Sequence, residues 1–287
     1  MNEALEKGAS FIWNNARLLE RAIFDYHFRN SQSDRIIDIL CTYQNDDGGF
    51  GHALEPDLRA PDSHPLFVEF ALRTLYECEL RDTQIASRIC DFLSRHAALE
   101  QGIATLLPTS QLYPRAPHWN SPGSLCPDMD RLAGLVGLVN WQGVDHPWLP
   151  AAVEASLQHI AERKYDEAHT ILTAFCLVES VSGERQVAHL VDKLSAELFQ
   201  ANFFNLDVPV KQYGLTPLTF APTPGSFCQQ IFTQAQIEAH LDDLEANQQE
   251  DGGWPILWQP PGEIARWEWR GQRTVSALHT LRAYGRI

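Results

Sequence analysis

Gln44-Asn45-Asp46-Asp47-Gly48-Gly49-Phe50 and Gln248-Gln249-Glu250-Asp251-Gly252-Gly253-Trp254 are two copies of one pattern, Gln-x-x-Asp-Gly-Gly-aromatic. A recurring motif fixes the architecture before any single residue does. Each copy ends an apolar run at helical spacing: Ile36, Ile37, Leu40 and Tyr43 before the first, Ile237, Leu241 and Leu244 before the second. The glycines supply the left-handed backbone that stops a helix, and the aromatic can fold back over the last turn. The glutamine amide can tie a helix end to neighbouring backbone. After a polar stretch a second helical run follows, Phe67–Leu75 in one copy and Val275–Leu281 in the other. The unit is helix, Asp-Gly-Gly turn, loop, helix.

The two heptads resemble the repeats of the superfamily of squalene-hopene cyclases, oxidosqualene cyclases and protein prenyltransferase β-subunits. The resemblance implies an all-α fold, an α/α toroid of five to six helical hairpins, with residues 1–287 as one domain. Gln44 and Gln248 lie 204 residues apart, room for about four units of roughly 50 residues. Helical segments are predicted near 9–29, 82–96, 129–140, 149–162, 166–181 and 184–200.

A composition of 44% hydrophobic and 21% charged residues is that of a globular protein. Charges interrupt every apolar run before it reaches a membrane-spanning length, and Met1-Asn2-Glu3-Ala4-Leu5-Glu6-Lys7 is too polar for a signal peptide. A cytoplasmic protein without a transmembrane segment is expected. The net charge of −15 argues against nucleic acid as a partner. The six cysteines form no C-x-x-C pair, so buried thiols are expected rather than disulfides or zinc.

Three irregular stretches break the helical pattern: 51–65, about 101–127, and 216–225. Loops of this length in a compact domain are usually functional or mobile. The first carries His52, Glu55, Asp57, Arg59, Asp62 and His64. Two readings stand for it. His52, Glu55, Asp57 and Arg59 face a ligand, or Asp62 or Ser63 caps the helix entered by Pro65 while Glu55 and Arg59 pair locally. The spacing is too loose for a metal motif.

Pro127-Asp128-Met129-Asp130-Arg131 opens another apolar helix. It is similar to the Asp-x-Asp-Asp segment of class II terpene cyclases, a resemblance that implies a protonated Asp130 as general acid, Asp128 as its neighbour, and a small apolar, isoprenoid-like ligand. Two close carboxylates in a dry cavity resist double ionisation, which keeps one protonated. Arg131 stands where the cyclase pattern has an acid, and a guanidinium there favours the carboxylate. The structural reading makes Asp128 an N-cap and Asp130 a first-turn acid facing the helix dipole. The Asp-x-Cys zinc pair of prenyltransferases is absent from the chain, and neither metal nor cofactor is expected. Trp119, Trp267 and Trp269 are candidate substrate-binding rings, or else they pack helix ends.

Three functions follow: a terpene-cyclase-like isomerase or lyase using Asp130, a carbohydrate-active hydrolase or lyase with paired carboxylates, and a noncatalytic binder of a hydrophobic small molecule or peptide. An apolar aromatic lining favours the first or third, and a polar groove with facing carboxylates favours the second.

Overall fold

A computed structural model describes residues Asn2–Ile287. They form twelve α-helices: α1 (Glu3–Asn15), α2 (Leu18–Arg29), α3 (Asp34–Cys41), α4 (Pro65–Glu77), α5 (Thr83–His96), α6 (Met129–Trp141), α7 (Leu149–Glu162), α8 (Ala168–Val181), α9 (Ala188–Leu198), α10 (Pro217–Phe220), α11 (Gln234–Ala246) and α12 (Glu263–Ala283). The one sheet among the described residues is a two-residue antiparallel ribbon pairing Ile103 with Asp128 and Ala104 with Pro127. The all-α expectation holds. The contacts divide into two compact units, one of residues 1–40 and 203–287, the other of residues 41–202.

Both Asp-Gly-Gly turns have the same geometry. Gln44 Nε2 donates to the Gly48 carbonyl at 3.0 Å, and Gln248 Nε2 donates to the Gly252 carbonyl at 2.9 Å. Asp47 accepts the Gly49 N–H at 2.9 Å, and Asp251 that of Gly253 at 3.1 Å. Gly48 has φ +85° and Gly252 φ +89°, a region where side chains are strained. A Cβ on Gly48 would lie 2.2 Å from the Arg88 carbonyl oxygen, and one on Gly252 would lie 2.2 Å from that of Lys7. The next glycines face rings one helical turn further on, Gly49 against Phe92 and Gly253 against Phe11. Each turn is thus clamped onto another helix, α5 for the first copy and the N-terminal α1 for the second. Gln248 Nε2 also donates to the Ala4 carbonyl at 2.9 Å, so the first helix of the chain completes the last repeat. Trp254 is buried and donates its Nε1–H to the Leu244 carbonyl at 2.8 Å, folding back over the end of α11.

In the 41–202 unit, α4, α6 and α8 run parallel. Gly134 and Gly137 bring α6 close to α8, since a Cβ on Gly134 would lie 2.6 Å from Thr173 Cβ and one on Gly137 2.4 Å from the Leu177 nitrogen. Asn140 continues the register by donating to the Ser180 hydroxyl at 3.2 Å. Side chains cap the helix starts: Asp82 on α5, Asp128 on α6 and Glu167 on α8. His64, rather than the expected Asp62 or Ser63, is the residue before α4. It makes no side-chain cap bond, and Pro65 at the first position removes one of the N–H groups a cap would serve.

Two expectations need correction in detail. The helix expected over 9–29 is two helices, because Ala16 and Arg17 adopt extended backbone; at this corner Gly271 of α12 approaches Ala16 closely enough that a Cβ would lie 2.7 Å from Ala16 Cβ. Cys78, Cys90 and Cys228 are buried, whereas Cys41 and Cys126 are exposed; all six are free thiols. No described helix is long and apolar enough to cross a membrane.

Candidate functional site

The half-exposed face of α4 carries Glu69, Phe70, Arg73 and Tyr76, and that of α8 carries His169, Leu172, Cys176 and Glu179. These spacings of three, four and seven residues put each set on one stripe. With α6 drawn against α8 by its glycines, the two stripes meet. Tyr76 donates its hydroxyl to Glu179 at 2.5 Å. Burial pushes the Glu179 carboxyl up, and the Tyr76 hydroxyl acts against that rise. Arg73 is held by Glu69 at 2.9 Å and interacts with the Cys176 thiol. Burial raises that thiol above its ordinary value, and the Arg73 charge acts against the rise.

Nearer the helix starts the charge density rises. Arg131, in the first turn of α6, forms an ion pair with Glu69 and donates from Nε to the Thr105 hydroxyl at 3.2 Å. Burial pulls its guanidinium down to about 10, while the charges of Glu55 and Glu167 act to raise it. Glu55 is buried in the first loop, where its carboxylate accepts the Asp57 N–H at 3.0 Å. Asp57 is buried as well, with His118 Nε2 at 3.7 Å. Glu167 caps α8 and pairs with His169 Nδ1. Burial works to raise the Glu167 carboxyl, but His169 and the capped N–H groups together hold it below its ordinary value. His169 is 37% exposed. The starts of three parallel helices, each with a positive dipole end, thus frame a cluster of carboxylates around one guanidinium.

The site residues expected from sequence are distributed as follows. Glu55 and Asp57 belong to this cluster. His52 is exposed on the same loop and bonds Asn45 Oδ1 at 2.9 Å from a left-handed backbone (φ +58°). Arg59 joins the first loop to the second, donating its N–H to the Pro114 carbonyl at 2.9 Å. Trp119 is half-buried beside the His118 ring at 4.7 Å. Asp128 is the cap of α6, accepting the Asp130 N–H at 2.8 Å, as the structural reading expected. Asp130 is buried but engaged: His159 Nε2 lies 2.7 Å from one carboxylate oxygen and Arg163 Nε 3.4 Å from the other. Trp267 and Trp269 lie in the other unit, Trp267 against Phe11 at 6.0 Å and Trp269 edge-on to Trp258 at 5.1 Å.

Sequence reasoning passed over Glu69, Arg73, Tyr76, Glu167, His169 and Glu179. The available signal was the polar stripe Glu69, Arg73, Tyr76 on an otherwise buried helix, which costs free energy unless the groups are paired or used. Among the described residues no group of three or more His, Cys, Asp or Glu is placed to hold a metal ion.

No protein-family model and no curated protein matches this chain. Among solved structures, the chain is similar to a crystal structure of a protein from Actinoplanes, at 16% identity and a TM-score of 0.57, over 98% of each chain. At that identity the likeness shows a shared fold alone.

Proposed function

We propose that the cluster at the starts of α4, α6 and α8 is the active site of a carbohydrate-active hydrolase or lyase, carried on helical hairpins of an α/α toroid. The toroid reading is supported by the packing of α1 into the C-terminal repeat, which is how a ring of repeats joins its two ends. One observation carries the functional reading: on the shared face of α4 and α8, beside Phe70 and Leu172, stand the ion-paired and hydrogen-bonded side chains of Glu69, Arg73, Tyr76, His169 and Glu179, a mixture of polar groups and apolar surface. Such a face suits a hydroxyl-rich substrate, whose many donors and acceptors can exchange places with water and with these carboxylates.

In this reading His169 is the general base, oriented through Nδ1 by Glu167 so that Nε2 takes the proton. Glu55 is the carboxyl partner of His169 in the acid/base pair. Arg131 is a positioning residue that holds Glu69. The isoprenoid reading asks Asp130 to deliver a proton, and both of its carboxylate oxygens are already engaged, one by His159 and the other by Arg163.

The test is turnover of a panel of neutral and uronate polysaccharides, read as new reducing ends for hydrolysis and as unsaturated sugar products for elimination. His169→Asn and Glu167→Gln are expected to lower kcat by about 10²–10⁴-fold, the usual contribution of a positioned acid or base. Unchanged turnover in both variants, or turnover of an isoprenoid in place of any glycan, would overturn the reading.

A further inference from the structure

A second, chemically distinct place lies in the unit formed by residues 1–40 and 203–287. A depression of about 350 Å³ there is lined by Trp258, Gln249, Asp251, Arg266 and Arg270, just outside the second Asp-Gly-Gly turn. Its charges are neutralised in pairs. Arg270 grips Asp251 through both of its terminal nitrogens at 2.8 and 2.7 Å, and Arg266 lies 3.4 Å from Glu263. Arg270 is further fixed by the rings of Phe11 and Trp267, at 4.6 and 5.3 Å. The Asp251–Arg270 pair is therefore a rigid hydrogen-bonding edge rather than a free anion or cation site.

Trp258 forms the aromatic wall and belongs to a run of rings. Tyr213 meets it edge-on at 5.6 Å and Phe203 follows at 6.2 Å, while Trp269 also packs edge-on to it at 5.1 Å. Phe203 is 54% exposed and Tyr213 41%. Large rings left in water beside a concave pocket mark a binding place more strongly than isolated apolar residues do. A nucleotide or other anion would find no uncompensated cation here, and a hydrocarbon would strand the carboxylate and guanidinium edge. A sugar ring satisfies both sides, laying its C–H face on the indole and turning its hydroxyls to Asp251, Arg270 and Gln249.

We infer that this depression is a noncatalytic binding site for a neutral oligosaccharide, with Trp258 as its platform and the run of rings toward Phe203 continuing the track. The choice of ligand class rests on the function proposed above, but the site and its readout are separate.

The experiment is isothermal titration of the full chain with maltohexaose, cellohexaose, xylohexaose and chitohexaose, with sodium phosphate as the anionic comparison. At least one neutral hexasaccharide is expected to bind. Trp258→Ala is expected to weaken that binding at least tenfold and Trp258→Phe to restore part of it. Arg266→Met, on an exposed side chain, tests the rim without disturbing the fold and is expected to weaken binding by a few-fold. The inference falls if no hexasaccharide binds, if phosphate binds instead, or if sugar binding is indifferent to Trp258→Ala in a variant with an unaltered circular dichroism spectrum. Sugar binding lost in Trp258→Ala, with no polysaccharide cleaved by the wild type, supports this site while removing the catalytic reading.

Discussion

Gly252→Ala is the sharpest test of the repeat geometry, because two other glycines separate its two costs. Gly252 has φ +89° and would place a Cβ 2.2 Å from the Lys7 carbonyl oxygen and 2.5 Å from the carbonyl carbon. Gly285 has a comparable φ of +71° but open space around it, so Gly285→Ala isolates the backbone term, about 1–2 kcal/mol. Gly253 lies outside the left-handed region and would meet the Phe11 ring at 2.6 Å, so Gly253→Ala isolates crowding, about 1–3 kcal/mol. Gly252→Ala incurs both, and its obstacle is main chain that cannot rotate away. A loss of about 2–5 kcal/mol is expected, a large share of the roughly 5–15 kcal/mol that holds a domain folded. Gly48→Ala, with the Arg88 carbonyl at the same 2.2 Å, should lose a similar amount. Urea unfolding followed by circular dichroism and tryptophan fluorescence measures all four. If Gly252→Ala is no worse than Gly285→Ala, the close approach to α1 does not exist and the account of the second repeat fails.

Two further expectations follow from buried charge. Asp130→Ala removes a buried carboxylate that is held by His159 and by the half-exposed Arg163, and should destabilise the fold by about 1.5–3 kcal/mol, the usual loss of a hydrogen bond to a charged group; a thermal shift indistinguishable from zero would show that these contacts add nothing to stability. Acid should weaken the protein below about pH 6.5. Burial depresses His64 to about 4, and burial, followed by His279 and Arg282, depresses His27 to about 3. Between the ordinary histidine value and those depressed values the unfolded chain binds protons that the folded chain does not, so stability falls as pH falls, by about 1.4 kcal/mol per pH unit for each group. Histidine proton resonances that titrate near 6.5 at these two positions would refute the direction.

The sequence was most informative where local chemistry repeats. Glycines at the heptads and acids before α5 and α6 act within a few residues of themselves, so turns and helix starts could be read directly. Pro65 marked the start of α4 in the same way, although the side-chain cap expected beside it did not form. The break at Ala16-Arg17 was not, because it depends on how closely Gly271 approaches, more than 250 positions along the chain. The candidate site divided along the same line. Glu55 and Asp57 stood out as a dense local cluster in a loop. Glu69, Arg73, Tyr76, His169 and Glu179 are spaced as ordinary helix positions, and only the parallel register of α4, α6 and α8 brings their charges to one face. Asp130 shows the converse: its neighbours in sequence carried a resemblance, whereas its neighbours in space, His159 and Arg163, are set by the fold.

The seat taken by α1 has a consequence for how the chain is made. Gln248, which holds the Ala4 carbonyl, is 244 positions downstream of it. At about 5–20 residues per second, a ribosome needs roughly 12–50 seconds to supply that partner. Throughout that interval Phe11 and Ile12, both buried in the finished protein, have no groove to enter. The contact between α1 and the second Asp-Gly-Gly turn is therefore closed late in synthesis, by a partner that follows it by most of the sequence.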